Sequence, residues 1–252
     1  HPGVLLQCVP PVTEDRRAVF PGGIAILAEV MGQLGVQQMR VADGAMREGL
    51  LYDMLGRYTR EDARERTVRS MQQRYHVDMA QAARVEHTAV EFLGMVREAW
   101  SLHDPLAELS LRWAARLHEI GLDVAHSGYH RHGAYLLENA DMPGFAREEQ
   151  QILARIVGAQ RRKLELAPLE ELVRPWDSQA LYLVLLLRLS VLLHRSRSEA
   201  ALPAIELVAK PRTLEMRFRL RSFRDQPLTA ADLNDEIDLL RAHGLRLRVL
   251  TS

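Results

Sequence analysis

The sequence predicts a mainly helical protein with an incomplete α/β part at its start and a small α/β unit at its end. Residues 59–200 place apolar side chains at helical spacing, and glycines or capping residues, among them Asp78, Asp104 and Asp177, separate the segments. Residues 201–252 contain stretches in which apolar and charged side chains alternate, as in β-strands. Residues 1–58 offer too few strands for a stable sheet of their own. The predicted fold class is therefore mainly α with α+β parts.

The composition is that of a globular protein without a membrane span. Hydrophobic residues make up 47% and charged residues 26% of the 252 residues, which are ordinary values. The longest apolar run, residues 181–193, is interrupted by Arg188 and is shorter than the roughly 18 to 20 residues that a span needs. We predict that this run is a buried core helix. The single cysteine, Cys8, excludes an internal disulfide and indicates a reducing compartment. We therefore expect a cytoplasmic protein.

The positive charge is carried by arginine and concentrated in the second half of the chain. Only Lys163 and Lys210 among the 33 basic residues are lysines. Residues 160–224 contain 13 Lys/Arg and 7 Asp/Glu, a local excess of six positive charges. The planar guanidinium suits bidentate contacts with phosphate, so this distribution favours a polyanionic ligand. Genome composition is an alternative explanation of the arginine content.

The first 58 residues contain a glycine-rich helix entry. Pro21, Gly22 and Gly23 open an apolar helix that ends at Gly35, and a short strand, a turn and a second helix follow. Glycines at a helix start allow the backbone to approach a phosphate, and the helix dipole favours the anion. A plain helix entry explains the same residues. We interpret residues 1–58 as the end of a larger domain.

Four of the ten histidines lie in one stretch, residues 113–137. They are His118, His126, His130 and His132, and Gly121 interrupts the helix between the first two. Histidine titrates near neutral pH and binds metals or anions. The stretch therefore predicts a site for one of these ligands.

The spacing of His87 and the pair His118–Glu119 resembles the HD superfamily of metal-dependent phosphohydrolases. That pattern has an aspartate where this chain has Glu119, and a later aspartate where it has Ser190. A divalent metal needs several correctly placed donors. Two further interpretations remain open, namely an HD-like helical core that has lost its metal, and a path of partly protonated histidines for a polyanion.

The region 201–252 predicts a β-β-α-β unit. The second strand alternates, and its two faces are Leu214, Met216, Phe218 and Leu220 on one side and Arg217, Arg219 and Arg221 on the other. The last strand adds Arg246 and Arg248 to the exposed set. With few acidic residues nearby, this basic face predicts polyanion binding. A solvated outer face is the alternative.

Four segments in this order resemble the Ppx/GppA family, and its exopolyphosphatase branch more than its guanosine-pentaphosphate phosphatase branch. They read RRAVFPGGIAIL, VADGAMREGLLYDMLGR, LRWAARLHEIGLDVAHSGYHRHGAYLLENADMPGF and LLRLSVLLHR. The resemblance covers nearly the whole chain, and the histidine stretch is its most specific part.

The resemblance implies a domain plan. Members have two actin-like (ribonuclease-H-like) domains, an HD-like helical domain and, in longer members, a small α/β domain. Residues 1–58 would be the end of the second actin-like domain, 59–200 the HD-like domain and 201–252 the small domain. Because the chain begins at His1 and resembles only the back half, we expect the catalytic glutamate and the phosphate loops to precede it. No residue here is then catalytic.

The resemblance also implies a function. Exopolyphosphatases release orthophosphate from the end of inorganic polyphosphate with Mg²⁺ and water, and we expect the Mg²⁺ in the full-length enzyme and no cofactor in this portion. This portion would bind the polyphosphate chain, support processivity, contact its own N-terminal actin-like domains and form a homodimer, but be inactive alone.

The predicted polyphosphate-binding residues come from three sources. The family motifs nearest the polyphosphate track contain Arg17, Arg47, His118, His130 and His132. The helix entry adds Gly22 and Gly23, and the strand alternation adds Arg217, Arg219 and Arg221. We predict no metal ligand in this portion.

Three other functions remain open. The first is a guanosine pentaphosphate phosphatase of the same family, and the second is a stand-alone HD-type metal phosphohydrolase. The third is a nucleic-acid-binding module that uses the arginine strands. Aromatic residues make up only 6% of the chain, so stacking on bases is poorly supported and we do not expect nucleic acid as a partner.

Overall fold

The computed structural model describes residues 17–36, 63–218 and 227–251, and the chain divides into two compact units, His1–Met54 and Leu55–Ser252. In the first unit the described element is helix α1, Phe20–Gln33. Pro21 lies in its first turn, where a missing N–H costs no hydrogen bond. Gly35 follows the helix with a φ of +64°. The predicted helix is confirmed, and the strand, turn and second helix predicted after it lie outside the described residues.

The described residues of the second unit form helices followed by a three-stranded sheet. The elements are α2 (Ala63–Arg74), α3 (Met79–Val96), α4 (Pro105–Leu117), a 3₁₀ turn (Ile120–Asp123), α5 (Tyr129–Asn139), α6 (Arg147–Ala159), α7 (Ala167–Glu170), α8 (Trp176–Leu193), β1 (Ile205–Lys210), β2 (Thr213–Phe218), α9 (Pro227–Ala242) and β3 (Arg246–Thr251). The predicted fold class is confirmed. The domain boundaries at residues 58 and 200 stay predictions.

Side-chain caps fix the starts of two helices. The Asp78 carboxylate accepts a hydrogen bond from the Gln81 N–H at 3.0 Å and begins α3. Asp104 caps α4 in the same way, ahead of Pro105. The cap predicted at Asp177 is wrong, because α8 already begins at Trp176 and Asp177 lies inside its first turn. In the first turn its negative charge still interacts favourably with the helix dipole.

Helix α8 is the centre of the helical core. It packs against α3, α4, α6, α7 and α9, and Leu183, Leu186 and Leu187 are fully buried. Burial of a leucine side chain contributes roughly 1.5–3 kcal/mol, so this helix is a major source of stability. By length and composition α8 is apolar enough to cross a membrane, but 61% of it is buried inside the protein. This burial agrees with its prediction as a core helix.

The sheet has the order β1-β2-β3, with β1 antiparallel and β3 parallel to β2. Helix α9 makes the crossover between the parallel strands, so the predicted β-β-α-β unit is present. Leu214, Met216 and Phe218 are buried, as the alternation predicts. Strand β1 also contacts α3. The sheet and the helices therefore belong to the same compact unit.

A close backbone contact holds the 3₁₀ turn against α5. A Cβ added to Gly121 would lie 1.9 Å from the Tyr129 carbonyl oxygen and 2.5 Å from the Gly133 nitrogen. Only glycine allows this approach, which explains why the helix prediction breaks there. The contact places the end of α4, with His118, beside the start of α5, with His130.

Replacing Gly121 with alanine should lower the free energy of unfolding by roughly 1–3 kcal/mol, because the backbone must move to admit the methyl group. Urea denaturation of the variant and the wild type measures the change.

The matched control is Gly94→Ala. Gly94 is an exposed residue in α3, and an added Cβ meets nothing within 4 Å. This change should stabilise the protein by roughly 0.5–1 kcal/mol. Equal effects at the two glycines would contradict the proposed role of the Gly121 contact.

Candidate functional site: a basic groove

Two clefts meet on the side of the helical unit that carries the histidine stretch. The first has a volume of about 820 Å³ and lies between α5 and the segment after α6. The second has a volume of about 590 Å³ and is bounded by α8 and α9. Both are lined by His126, Arg161 and Arg162. We call the two clefts together the basic groove.

The first cleft contains cations that have no carboxylate partner among the described residues. Its basic side chains are Arg131, Arg155, Arg161, Arg162 and Lys163. Arg155 pairs with Glu138 at 3.2 Å, and Lys163 pairs with Glu165 at 3.4 Å. The other three, Arg131, Arg161 and Arg162, make no such pair in the described part of the chain. Their charge is therefore available to an anionic ligand.

Arg161 also lies against an aromatic ring. Its guanidinium carbon is 5.4 Å from the centre of the Tyr129 ring, within the range of a cation–π contact. Burial raises the pKa of the Tyr129 hydroxyl, while the positive charge of Arg161 acts in the opposite direction. The ring therefore supports Arg161 from the side of α5.

The second cleft has paired charges. Arg188 pairs with Glu236 at 2.6 Å, and Arg195 pairs with Asp232. Both carboxylates are on α9. This wall therefore has less net positive charge than the first cleft.

His130 is on the wall of the first cleft and is neutral at pH 7. Burial and the charges of Arg131, Arg161, Arg162 and Arg188 lower its pKa to about 4. Burial also lowers the pKa of His118. At both positions burial favours the neutral imidazole, and at His130 the neighbouring arginines act in the same direction. The hypothesis of partly protonated histidines therefore gains no support from these two residues.

The HD-type metal set is not assembled. His118 contacts the Ala115 carbonyl oxygen through Nδ1 at 2.6 Å, and Ser190 donates its hydroxyl to the Leu186 carbonyl at 2.8 Å. His87 is exposed on α3. Within residues 17–36, 63–218 and 227–251, no group of three or more His, Cys, Asp or Glu side chains is close enough to hold a metal ion. The stand-alone metal phosphohydrolase hypothesis thus has no ligand set in this part of the chain.

The carboxylate of Glu119 is paired with an arginine. Arg197 places one guanidinium nitrogen 2.6 Å from Glu119 Oε1 and another 2.7 Å from Asp78 Oδ2. Arg197 follows α8 and has a φ of +54°, a backbone conformation that is uncommon for arginine. The exposed guanidinium of Arg197 thus joins the start of α3 to the 3₁₀ turn.

The structure brings only some of the predicted binding residues together. His118 and His130 line the basic groove, whereas the half-buried His132 on α5 lines neither cleft. Arg17, Gly22 and Gly23 are exposed at the start of α1 in the first unit, and a Cβ added to either glycine would meet nothing within 4 Å. Arg47, Arg219 and Arg221 lie outside the described residues. These N-terminal and strand residues stay predictions.

The described part of the arginine strand has nearby acidic partners. Arg217 is exposed, and it contacts Glu215 at 3.0 Å while Arg248 approaches the same carboxylate at 3.6 Å. Glu206 lies opposite Arg217 in the register of β1 and β2. The hydrogen bond from Arg217 lowers the pKa of Glu215, which therefore stays charged. The interpretation of a face with little acidic content is wrong here, and the nucleic-acid hypothesis loses its main support.

Sequence reasoning missed Arg131, Arg161 and Arg162 as groove residues. The only signal was the positive excess after residue 160, which includes the run Arg161-Arg162-Lys163. Spacing does not show that the end of α6 lies beside the start of α5.

The groove and the surrounding helices define a helical unit suited to bind an anion such as phosphate. Comparison with protein families agrees with that class. The sequence model described as "Ppx/GppA phosphatase, domain III" matches residues 63–237, and the one described as "Ppx/GppA phosphatase family" matches residues 7–58. The chain belongs to the Ppx/GppA phosphatase family.

Similar proteins carry the name guanosine-5'-triphosphate,3'-diphosphate pyrophosphatase. The protein from Aeromonas hydrophila is 36% identical over 236 residues, which cover 94% of this chain and 48% of the relative. That from Pseudoalteromonas translucida is 36% identical over 90% of this chain and 46% of the relative. One from Vibrio cholerae is 38% identical over 89% of this chain and 45% of the relative. The chain thus spans about half the length of the curated relatives it matches. Their shared name agrees with the alternative branch rather than with the expected exopolyphosphatase branch.

Acid should destabilise the protein through its buried histidines. The pKa of His130 is about 4, and burial together with the charge of Arg84 lowers the pKa of His194 to about 4 as well. The ordinary value is 6.5. Between these values the unfolded chain binds protons that the folded chain does not. The free energy of unfolding should therefore fall as the pH decreases from about 6.5 to about 4.

Chemical denaturation across this pH range tests the prediction. His194→Gln removes one of these groups and should make the decrease shallower. At about pH 8 both histidines are neutral in the folded and in the unfolded protein. Measurements at that pH therefore give the effect of the substitution on stability without any contribution from protonation. A wild-type stability that stays constant from pH 6.5 to pH 4 would contradict the prediction.

Proposed function

We propose that this chain is part of an enzyme that hydrolyses guanosine pentaphosphate. The observation that carries the proposal is the name shared by the relatives above, which are 36–38% identical over about nine-tenths of the chain. Family membership supports the coarser class, a phosphatase. Because the chain spans about half the length of those relatives, the activity belongs to the longer protein.

In this proposal the basic groove binds the phosphate groups of the substrate. Arg131, Arg161 and Arg162 supply fixed charges without carboxylate partners among the described residues. Phosphoryl transfer depends largely on positioning and on neutralising the charge of the phosphates. Arginine is suited to both roles because its guanidinium forms paired hydrogen bonds with phosphate oxygens. The groove would hold the substrate while catalysis takes place elsewhere in the parent enzyme.

We assign no catalytic residue and no Mg²⁺ ligand to this chain. The catalytic glutamate and the Mg²⁺ expected for the family would belong to the remainder of the parent, as would the actin-like domains that contact this portion. We further propose a homodimeric, cytoplasmic parent, on the basis of the family resemblance and the cysteine content.

The second candidate is an exopolyphosphatase. The observation that favours it is the continuity of the two clefts, which share Arg161 and Arg162 and together exceed the size needed for a few phosphate groups. A long polyanion needs such an extended basic track to remain bound between cleavage steps.

Phosphate release by the full-length parent distinguishes these candidates. A higher kcat/KM for guanosine pentaphosphate than for long-chain polyphosphate is expected. A clear preference for polyphosphate would reject the first candidate in favour of the second. The chain alone should release no phosphate from either substrate, and turnover by it would contradict the assignment of catalysis to the remainder.

The role of the groove can be tested separately by binding. The double variant Arg161→Ala/Arg162→Ala should bind inorganic polyphosphate at least about tenfold more weakly, because each charged hydrogen bond contributes roughly 1.5–3 kcal/mol. Its affinity should also depend less on salt, by analogy with counterion release from nucleic acids.

The matched control is Arg241→Ala. Arg241 is an exposed arginine of α9 that pairs with Asp238 and lines neither cleft. This variant should bind like the wild type. An equal loss in the control and the double variant would mean that general charge, not the groove, attracts the polyphosphate.

A further inference from the structure

Arg188 is a buried cation in the middle of the otherwise apolar helix α8, only 4% exposed. Its Nε is 2.6 Å from Glu236 Oε1, and its Nη2 is 2.8 Å from Glu236 Oε2. This is a bidentate pair, the strongest geometry for arginine and a carboxylate. The pair joins the core helix to α9, the helix of the C-terminal α/β unit.

The same guanidinium holds the segment that carries Arg161 and Arg162. Its Nη1 donates to the Ala159 carbonyl oxygen at 2.7 Å, and its Nη2 donates to the Arg162 carbonyl oxygen at 3.0 Å. Ala159 is the last residue of α6, so one contact satisfies a free carbonyl at the helix end. Arg162 has a φ of +62°, which is strained for a residue with a side chain. Arg188 therefore stabilises the backbone conformation in which both arginines line the groove.

Little of the Arg188 guanidinium remains for a ligand. Arginine has five N–H donors, and four contacts within the protein already use the group. We propose that Arg188 is a positioning residue: paired with Glu236, it sets the Arg161–Arg162 segment, so that phosphate binding in the groove depends on the C-terminal α/β unit. This inference rests on the proposed binding of phosphate by the groove.

Glu236→Gln distinguishes a positioning role from simple electrostatics, because the two predict opposite changes in the affinity for polyphosphate. Glu236 lines the second cleft, so removing its negative charge should by electrostatics alone strengthen polyphosphate binding. Positioning predicts weaker binding, because glutamine has only one acceptor oxygen and its amide nitrogen would place a donor against one of the two Arg188 donors. We expect the 252-residue chain with this change to bind inorganic polyphosphate about fivefold or more weakly.

The salt dependence supplies a readout that a loss of stability would not change. If Arg161 and Arg162 no longer face the phosphates, about two fewer counterions should be released on binding. The slope of log affinity against log salt should then be shallower by about two. If Glu236 only contributed to stability, the molecules of the variant that remain folded would bind with the wild-type slope.

Asp235→Asn is the matched control. Asp235 is the adjacent residue on α9, it is exposed, and it lines the same cleft. It makes no contact with the Arg188 guanidinium among those described above. Removing its charge should strengthen polyphosphate binding. Tighter or unchanged binding by Glu236→Gln would overturn the inference.

A second variant keeps the test decisive where Glu236→Gln does not fold. Arg188→Met combined with Glu236→Leu replaces the buried pair by apolar groups, an exchange that is often neutral for stability, and it leaves the net charge unchanged. Weaker polyphosphate binding by this folded variant supports positioning, and wild-type affinity overturns it. A wild-type chain that does not bind polyphosphate at low salt would instead contradict the proposed groove itself.

Discussion

Arg188 is buried in the middle of α8, between leucine residues that form the core of the helical unit. A charge in such a place is destabilising unless it is paired and its donors are satisfied. The structure meets this condition with a carboxylate from α9 and with two carbonyl oxygens, one from the last residue of α6 and one from Arg162 in the segment that follows. Three parts of the second unit therefore depend on one side chain. The same side chain interrupts the apolar run that otherwise has the composition of a membrane span.

A second constraint is the contact at Gly121, which brings the end of α4 against the start of α5. Together the two constraints determine where the charges lie. On the α5 side, Arg131, Arg161 and Arg162 face a cleft without carboxylate partners in the described part of the chain. On the α9 side, Arg188 and Arg195 are held by Glu236 and Asp232. The groove is thus asymmetric, with one wall available to a ligand and one wall whose cations serve the fold.

Periodicity and capping were sufficient to predict most elements, because these are local properties of the sequence. The core helix, the caps at Asp78 and Asp104 and the β-β-α-β unit all follow from spacing and residue type. The site was harder to predict, because its residues meet only through tertiary packing. Nothing local indicates that Glu119 pairs with Arg197, which lies 78 residues away. The sequence also does not predict the charge state of His130, because this state depends on burial and on the surrounding arginines.

Arginine side chains carry the positive charge of the first cleft, and this affects how phosphate binding could be regulated. Arginine stays protonated at every physiological pH, whereas His130, with a pKa of about 4, stays neutral there. The positive charge that Arg131, Arg161 and Arg162 present to an anion in the first cleft is therefore constant between about pH 6 and pH 8. Changes in salt would weaken the attraction of these arginines for phosphate through screening. Control of binding through Arg161 and Arg162 must then act on their position rather than on their charge, and the contacts of Arg188 are the part of the structure that determines this position.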